Sequence, residues 1–175
     1  MLIMSELTHW NHAVTDIPEH GLTRERAASA EDRDELANAL KLIALDSLVT
    51  NYRIERLAGG AYRLSGRLKA ACKQACVVTL DPVEAVVEDT FDVEFWPEHQ
   101  PDDDAGEMPV LGGRDVEPLE GGIIDAGRIV YETLAAGLDP YPRKPGAEFD
   151  WADKTAERPD KVSPFSVLSK LKDKS

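Results

Sequence analysis

Two cysteines, four histidines and a large surplus of carboxylates are the side chains of this 175-residue chain that could do chemistry. Cys72 and Cys76 stand four apart, one residue wider than a Cys-x2-Cys knuckle. A structural zinc site takes four ligands, typically two such pairs with histidine among them. There is no second cysteine pair, and His9, His12, His20 and His99 have no ligand spacing. Both cysteines also share the apolar parity of a strand, so buried core thiols are expected. The rival reading is a metal-dependent or thiol enzyme centred on Cys72 and Cys76, although no flanking motif supports a Cys–His nucleophile. Any acidic chain offers carboxylates for acid–base work, but here they crowd residues 97–120, as a solvated stretch would. No Gly-rich phosphate loop, Gly-x-Ser-x-Gly or His-Glu-x-x-His occurs. The expectation is a protein that is not an enzyme and that holds no metal or cofactor.

Charge divides the chain more sharply than motif does. The net charge is −13, which disfavours generic nucleic-acid binding, since phosphate contacts need lysine and arginine in excess. Residues 97–120 hold eight acids against Arg114 alone, whereas residues 141–175 carry eight bases against six acids. In that last section, Tyr141, Arg143 and Lys144 lie among prolines 140, 142 and 145. Further on, Phe165, Leu168 and Leu171 recur at helical spacing beside Lys170 and Lys172. Apolar anchors flanked by bases suit docking to a partner, and these eight residues are the candidate partner-binding set. No apolar run approaches the ~18 residues needed to span a bilayer. The N-terminus lacks the basic and apolar regions of a secretory signal. Two cysteines make a poor disulfide framework. A soluble, reduced, cytoplasmic monomer is expected.

The elements that must position these residues follow from periodicity. Tyr62, Leu64, Leu68, Ala70 and Cys72 alternate with polar residues, as do Val87, Phe91, Val93 and Phe95, so 61–96 reads as a strand hairpin with one buried face. With Asp81-Pro82 as the central turn pair, Leu68 is expected opposite Phe95 and Lys69 opposite Glu94. Leu7–Val14 has the alternation of an edge strand, and Leu22–Ala28 suits a short strand or the approach to a helix. Ser29 with Asp32 resembles a capping box. The apolar stripe Leu36, Ala39, Leu40 and Ile43 predicts a helix over 30–44. Val49–Leu57 predicts a strand leading to a Gly59-Gly60 turn. Asp125 can cap a helix over 125–136, with Ile129, Val130, Thr133 and Leu134 on one face. The fold class is therefore α+β: a curled, partly barrel-like antiparallel sheet with two main helices and an irregular C-terminal tail. Residues 1–140 form one domain that includes a mobile acidic loop at 97–121, and 141–175 form the Pro-rich, mildly basic tail.

Several stretches together resemble a known family. These are Cys76-Val77-Val78-Thr79-Leu80-Asp81-Pro82-Val83, Phe91-x-Val93-x-Phe95-x-Pro97, Gly122-Ile123-Ile124-Asp125, Leu138-Asp139-Pro140-Tyr141-Pro142-Arg143-Lys144-Pro145-Gly146 and Ser163-Pro164-Phe165. Across residues 7–172 they are similar to one branch of the bacterial YceD family, the large ribosomal RNA subunit accumulation proteins. Many relatives carry Cys-x2-Cys in this hairpin; here Cys76 matches the second cysteine and Lys73 stands in place of the first. The resemblance implies a non-enzymatic role in 23S ribosomal RNA accumulation or processing, and hence in large ribosomal subunit assembly. The implied partner is the pre-large-subunit particle, met through a basic ribosomal protein and/or 23S rRNA.

Overall fold

The structure is a computed structural model that describes residues 7–97 and 115–148. Its centre is the antiparallel pair β4 (Tyr62–Ala75) and β5 (Pro82–Pro97). The expected alternation holds on both strands. Tyr62, Leu64, Leu68, Ala70 and Cys72 are buried on β4, and Val87, Phe91, Val93 and Phe95 on β5. The register, however, differs from the expectation. Tyr62 pairs with Phe95, Leu64 with Val93 and Cys72 with Ala85, while Leu68 faces Asp89 and Lys69 faces Glu88. Asp81 and Pro82 are not the turn centre. The connection is the longer Cys76–Asp81 turn, and Pro82 opens β5, a strand-end position where its missing N–H costs no ladder bond. The two registers differ by an even number of residues, so the buried face is the same in both. Volume decides between them. In the observed register Phe91 lies against Gly66, where an added Cβ would come within 2.7 Å of the Phe91 ring and 2.6 Å of the Asn51 carbonyl oxygen.

Strand β3 (Ala44–Arg56) pairs along the other side of β4, with an irregularity between Leu45 and Ser47, and β2 (Leu22–Ala27) pairs antiparallel with β3. Helix α1 (Ala30–Ala39) begins with the expected capping box: the Ser29 hydroxyl accepts from the Asp32 N–H and the Asp32 carboxylate from the Ser29 N–H. It stops five residues earlier than the periodicity suggested. Lys41 takes a positive φ of 55°, which a right-handed helix cannot accommodate, and the Ile43 N–H bonds the Lys73 carbonyl instead. Ile43 is therefore exposed and is not part of the core stripe. Helix α2 (Ala126–Gly137) forms as expected, with the Asp125 carboxylate accepting from the Arg128 N–H at 2.9 Å and Ile129, Val130 and Leu134 buried.

Three further expectations are corrected. The sheet is mixed, because β6 (Asp115–Leu119) runs parallel to the end of β5, from Val93↔Asp115 to Pro97↔Leu119. The order β2-β3-β4-β5-β6 is an open sheet. The acidic stretch is not loop throughout, since its end supplies β6; residues 98–114 lie outside the described residues. Nor is Leu7–Val14 an edge strand. Leu7 and Trp10 bury themselves three apart, the spacing of the 3-10 turn Thr8–Trp10, and the two-residue β1 (His12–Ala13) pairs with β7 (Ile123–Ile124) in a separate small sheet. One face of the large sheet, both helices and this N-terminal segment share a single apolar core. Among the described residues no helix is long and apolar enough to cross a membrane.

The packing around Gly66 is open to test. Gly66→Ala should cost about 1–3 kcal/mol in urea unfolding, since its Cβ meets backbone as well as ring. Phe91→Ala, which leaves a cavity over the same residue, should cost about 3–5 kcal/mol. A loss below about 1 kcal/mol in both would show that this contact does not hold the register.

Candidate interaction site

The turn that joins β4 to β5 is built as a rigid knob. The Leu80 N–H bonds the Cys76 carbonyl at 2.9 Å, and the Cys76 N–H bonds the Asp81 carbonyl at 2.8 Å. These two bonds hold Leu80 at φ 63°, a left-handed conformation that a branched side chain adopts at a cost of about 1–3 kcal/mol. The side chain so presented is 75% exposed. A strained backbone that projects a large apolar group into water has no packing rationale within the fold.

Residues 139–147 lie across this turn like a strap. The Gln74 amide donates to the Asp139 carbonyl at 2.8 Å, and the Val77 N–H to the Pro142 carbonyl at 2.9 Å. The Lys144 N–H donates to the Cys76 sulfur at 3.4 Å, and the Lys144 ammonium to the Asp81 carboxylate at 3.1 Å. Within the strap, Asp139 accepts from the Tyr141 N–H and Lys144 from the Ala147 N–H, so it carries its own turns. Prolines 140, 142 and 145 remove donors that would otherwise need partners and restrict the backbone beforehand. Pro142 is buried beneath it while Tyr141, 73% exposed, points out. Tyr141, Leu80 and half-exposed Val77 thus crown one end of the molecule, with exposed Arg143 beside them.

The two cysteines occupy opposite environments. Both are buried and free. Burial pushes the Cys72 thiol up, with the nearby Asp46 charge adding to it. Cys76 is drawn down to about 6, chiefly by the Lys144 N–H, then by the Thr79 hydroxyl and the Thr79 and Val78 N–H groups. Burial opposes the shift and is its smallest influence. These donors favour the thiolate form of the sulfur, which sits in a ring of N–H and O–H groups. It clamps strap to turn. Among the described residues no three His, Cys, Asp or Glu side chains converge as metal ligands. His12 bonds the Tyr52 hydroxyl at 2.8 Å, and burial first, then Arg26 and Arg24, lower its pKa, so it serves as a neutral buried partner. His9 lies 3.7 Å from Asp32.

Of the candidate partner-binding residues, Tyr141, Arg143 and Lys144 sit together on the strap. Tyr141 and Arg143 project from it, whereas Lys144 is occupied in fastening it. Phe165, Leu168, Lys170, Leu171 and Lys172 lie outside the described residues. Sequence reasoning missed Leu80 and Val77 because the turn was placed at Asp81-Pro82. An apolar residue directly before Asp-Pro was the available signal.

A family model described as "Large ribosomal RNA subunit accumulation protein YceD" matches residues 64–172, more than half of the chain. No curated protein and no solved structure matched the chain. The match begins within β4 and so takes in both halves of the knob, the turn and the strap.

The thiolate clamp has a pH signature. A thiol whose pKa is lowered on folding stabilises the fold above its unfolded value, near 9, and that contribution is lost as pH falls through about 6. Cys76→Ser keeps an acceptor but not the charge. The gap in melting temperature between wild type and Cys76→Ser should therefore be wider at pH 8 than at pH 5. A gap that does not change with pH would mean that Cys76 is not a thiolate in the folded protein.

Proposed function

The chain belongs to the YceD family of large ribosomal RNA subunit accumulation proteins, and from that premise we propose that it is a non-enzymatic factor in 23S rRNA accumulation and large-subunit assembly. It acts by binding, and its partner on the assembling particle is a basic ribosomal protein. The observation that carries this reading is the knob, where Leu80, Val77 and Tyr141 are held out in water by a strained turn and a hydrogen-bonded strap. Rigid aromatic and aliphatic side chains with an adjacent arginine are the composition of interface anchors. The net charge of −13 supports a basic protein over bare RNA as the contact of the folded body, because negative charge repels phosphate and attracts lysine-rich surfaces. In this reading Arg143 and the tail residues Phe165, Leu168, Lys170, Leu171 and Lys172 add a second set of anchors.

Co-sedimentation with large-subunit precursors in lysate tests the proposal. The wild-type chain should travel with the precursors. Tyr141→Ala combined with Leu80→Ser should reduce binding by about tenfold or more while the melting temperature stays near that of wild type. Removing residues 154–175 should likewise abolish co-sedimentation without unfolding the protein. If the double variant still co-sediments normally, the contact is not through the knob. If the wild-type chain does not co-sediment at all, the assembly role is wrong.

A further inference from the structure

Strand β2 presents two arginines on the face that the core lies against. In its register Leu22 pairs with Ile54, Arg24 with Tyr52 and Arg26 with Thr50, and those three residues of β3 are all buried. Leu22 and Ala28, which bracket the arginines in the same row, are buried as well. Arg24 is exposed and Arg26 half-buried. Two positions apart, they are separated by about 7 Å along an extended strand, so both guanidiniums can reach one small ion.

Neither holds a carboxylate among the described residues. In a chain of 33 acids and 20 bases, Arg53, Arg63, Lys69, Lys73, Arg128 and Lys144 each pair with one. Arg24 donates to the neighbouring Thr23 carbonyl at 3.1 Å, and Arg26 Nε is buried without an acceptor. A buried charged donor left unpaired costs stability, and turning this fork to an anion removes that cost. Behind the arginines, the buried Tyr52 hydroxyl and His12 Nε2 lie 2.8 Å apart. Burial raises the Tyr52 pKa, while the Arg26 guanidinium at its hydroxyl, and then Arg24, hold the rise back. The charges that act on His12 are Arg26, Arg24 and, least of the three, Asp16, so positive charge prevails here.

Two guanidiniums and a hydroxyl in a body of net charge −13 favour a small, highly charged anion. A phosphate group carries about −1.5 to −2 at neutral pH, which matches the two arginines. Its tetrahedral oxygens can take both forks and the hydroxyl at once, whereas a carboxylate offers two coplanar oxygens to the same three donors. A nucleic-acid strand would bring further phosphates against the acidic body, where each is repelled. We propose that Arg24, Arg26 and the Tyr52 hydroxyl form a binding site for one phosphate group, as the free ion or as the monoester of a nucleotide-sized ligand. Arg24 and Arg26 grip it through their forks. His12 Nε2–H donates to the phenol oxygen, which turns the Tyr52 O–H towards the ion. The site stands apart from the knob and does not rest on the ribosomal reading.

The test uses the full chain and follows its histidine-ring and amide NMR signals at neutral pH. The probes are inorganic phosphate, adenosine 5′-monophosphate, acetate and a short single-stranded RNA. Ionic strength is held constant, because screening alone relieves the self-repulsion of so acidic a chain. Phosphate should give saturable shifts confined to His12, Tyr52 and β2. The pKa of His12 should rise on saturation, since the bound charge offsets that of the arginines that lower it. Shifts from both phosphate and the nucleotide make a terminal phosphate the ligand, and shifts from phosphate alone make it the free ion; either supports the site. Arg24→Gln, at an exposed position, should weaken binding by about tenfold or more, and Arg26→Lys, which keeps the charge but loses the fork, by a similar factor. Absence of saturable shifts at these residues would overturn the proposal. So would acetate that binds as well as phosphate, or unchanged binding by Arg24→Gln. RNA that binds more tightly than the nucleotide through these residues would also overturn it, and would assign the arginines to a nucleic-acid backbone.

Discussion

The pairing of β4 with β5 in one register is the constraint on which the rest of the structure depends. It aligns Tyr62 with Phe95 and Leu64 with Val93, and so closes the apolar face that both helices and the N-terminal segment cover. It also ends the ladder at Ala75↔Pro82, leaving Cys76–Asp81 as a separate turn. Had the strands paired up to Asp81 and Pro82, there would be no knob and no seat for the strap. The same register brings the end of β5, Val93–Pro97, alongside the parallel β6. Core and knob are two results of one alignment.

Charge could not have chosen that alignment. The polar face of β4 carries Arg63, Arg67, Lys69 and Lys73, and that of β5 carries Glu84, Glu88, Asp92 and Glu94. Sliding one strand along the other by an even number of residues puts some base opposite some acid every time. Lys69 meets Glu88 where Glu94 was expected, and Arg63 holds Asp92 through two bonds at 2.7 and 2.6 Å. Exposed pairs of this kind contribute about 0.2–1 kcal/mol each. Burying Phe91 over a residue with no side chain contributes more, and only one register allows it.

The knob concentrates features that cost stability elsewhere in proteins: a leucine at positive φ, a thiolate under cover and large apolar side chains in water. Each depends on the others. The thiolate is favoured because four donors surround it, and three of those donors come from the turn that Leu80 strains to complete. The strap supplies the strongest donor, and its own position relies on Gln74, Val77 and Asp81. Such mutual support confines the strain to one end of the sheet, the end that faces outward with Tyr141 and Arg143.

Much of the fold was legible from the residues themselves. Alternation on β4 and β5, the Ser29–Asp32 box and the Asp125 cap are local signals, each written within a few positions, and the structure carries all of them. So was the burial of Cys72, which strand parity alone requires; Cys76 lies past the end of β4 and is covered by the strap instead. The register, the parallel β6, the early end of α1 at Lys41 and the strap over Cys76 were not legible. The physical reason is common to them. A period of two is blind to even slips, and Val77 pairs with Pro142 across 65 positions through backbone atoms that every residue possesses. Side-chain pattern determined which faces are buried; only the folded chain, where volumes and main-chain bonds meet, decided what lies beside what.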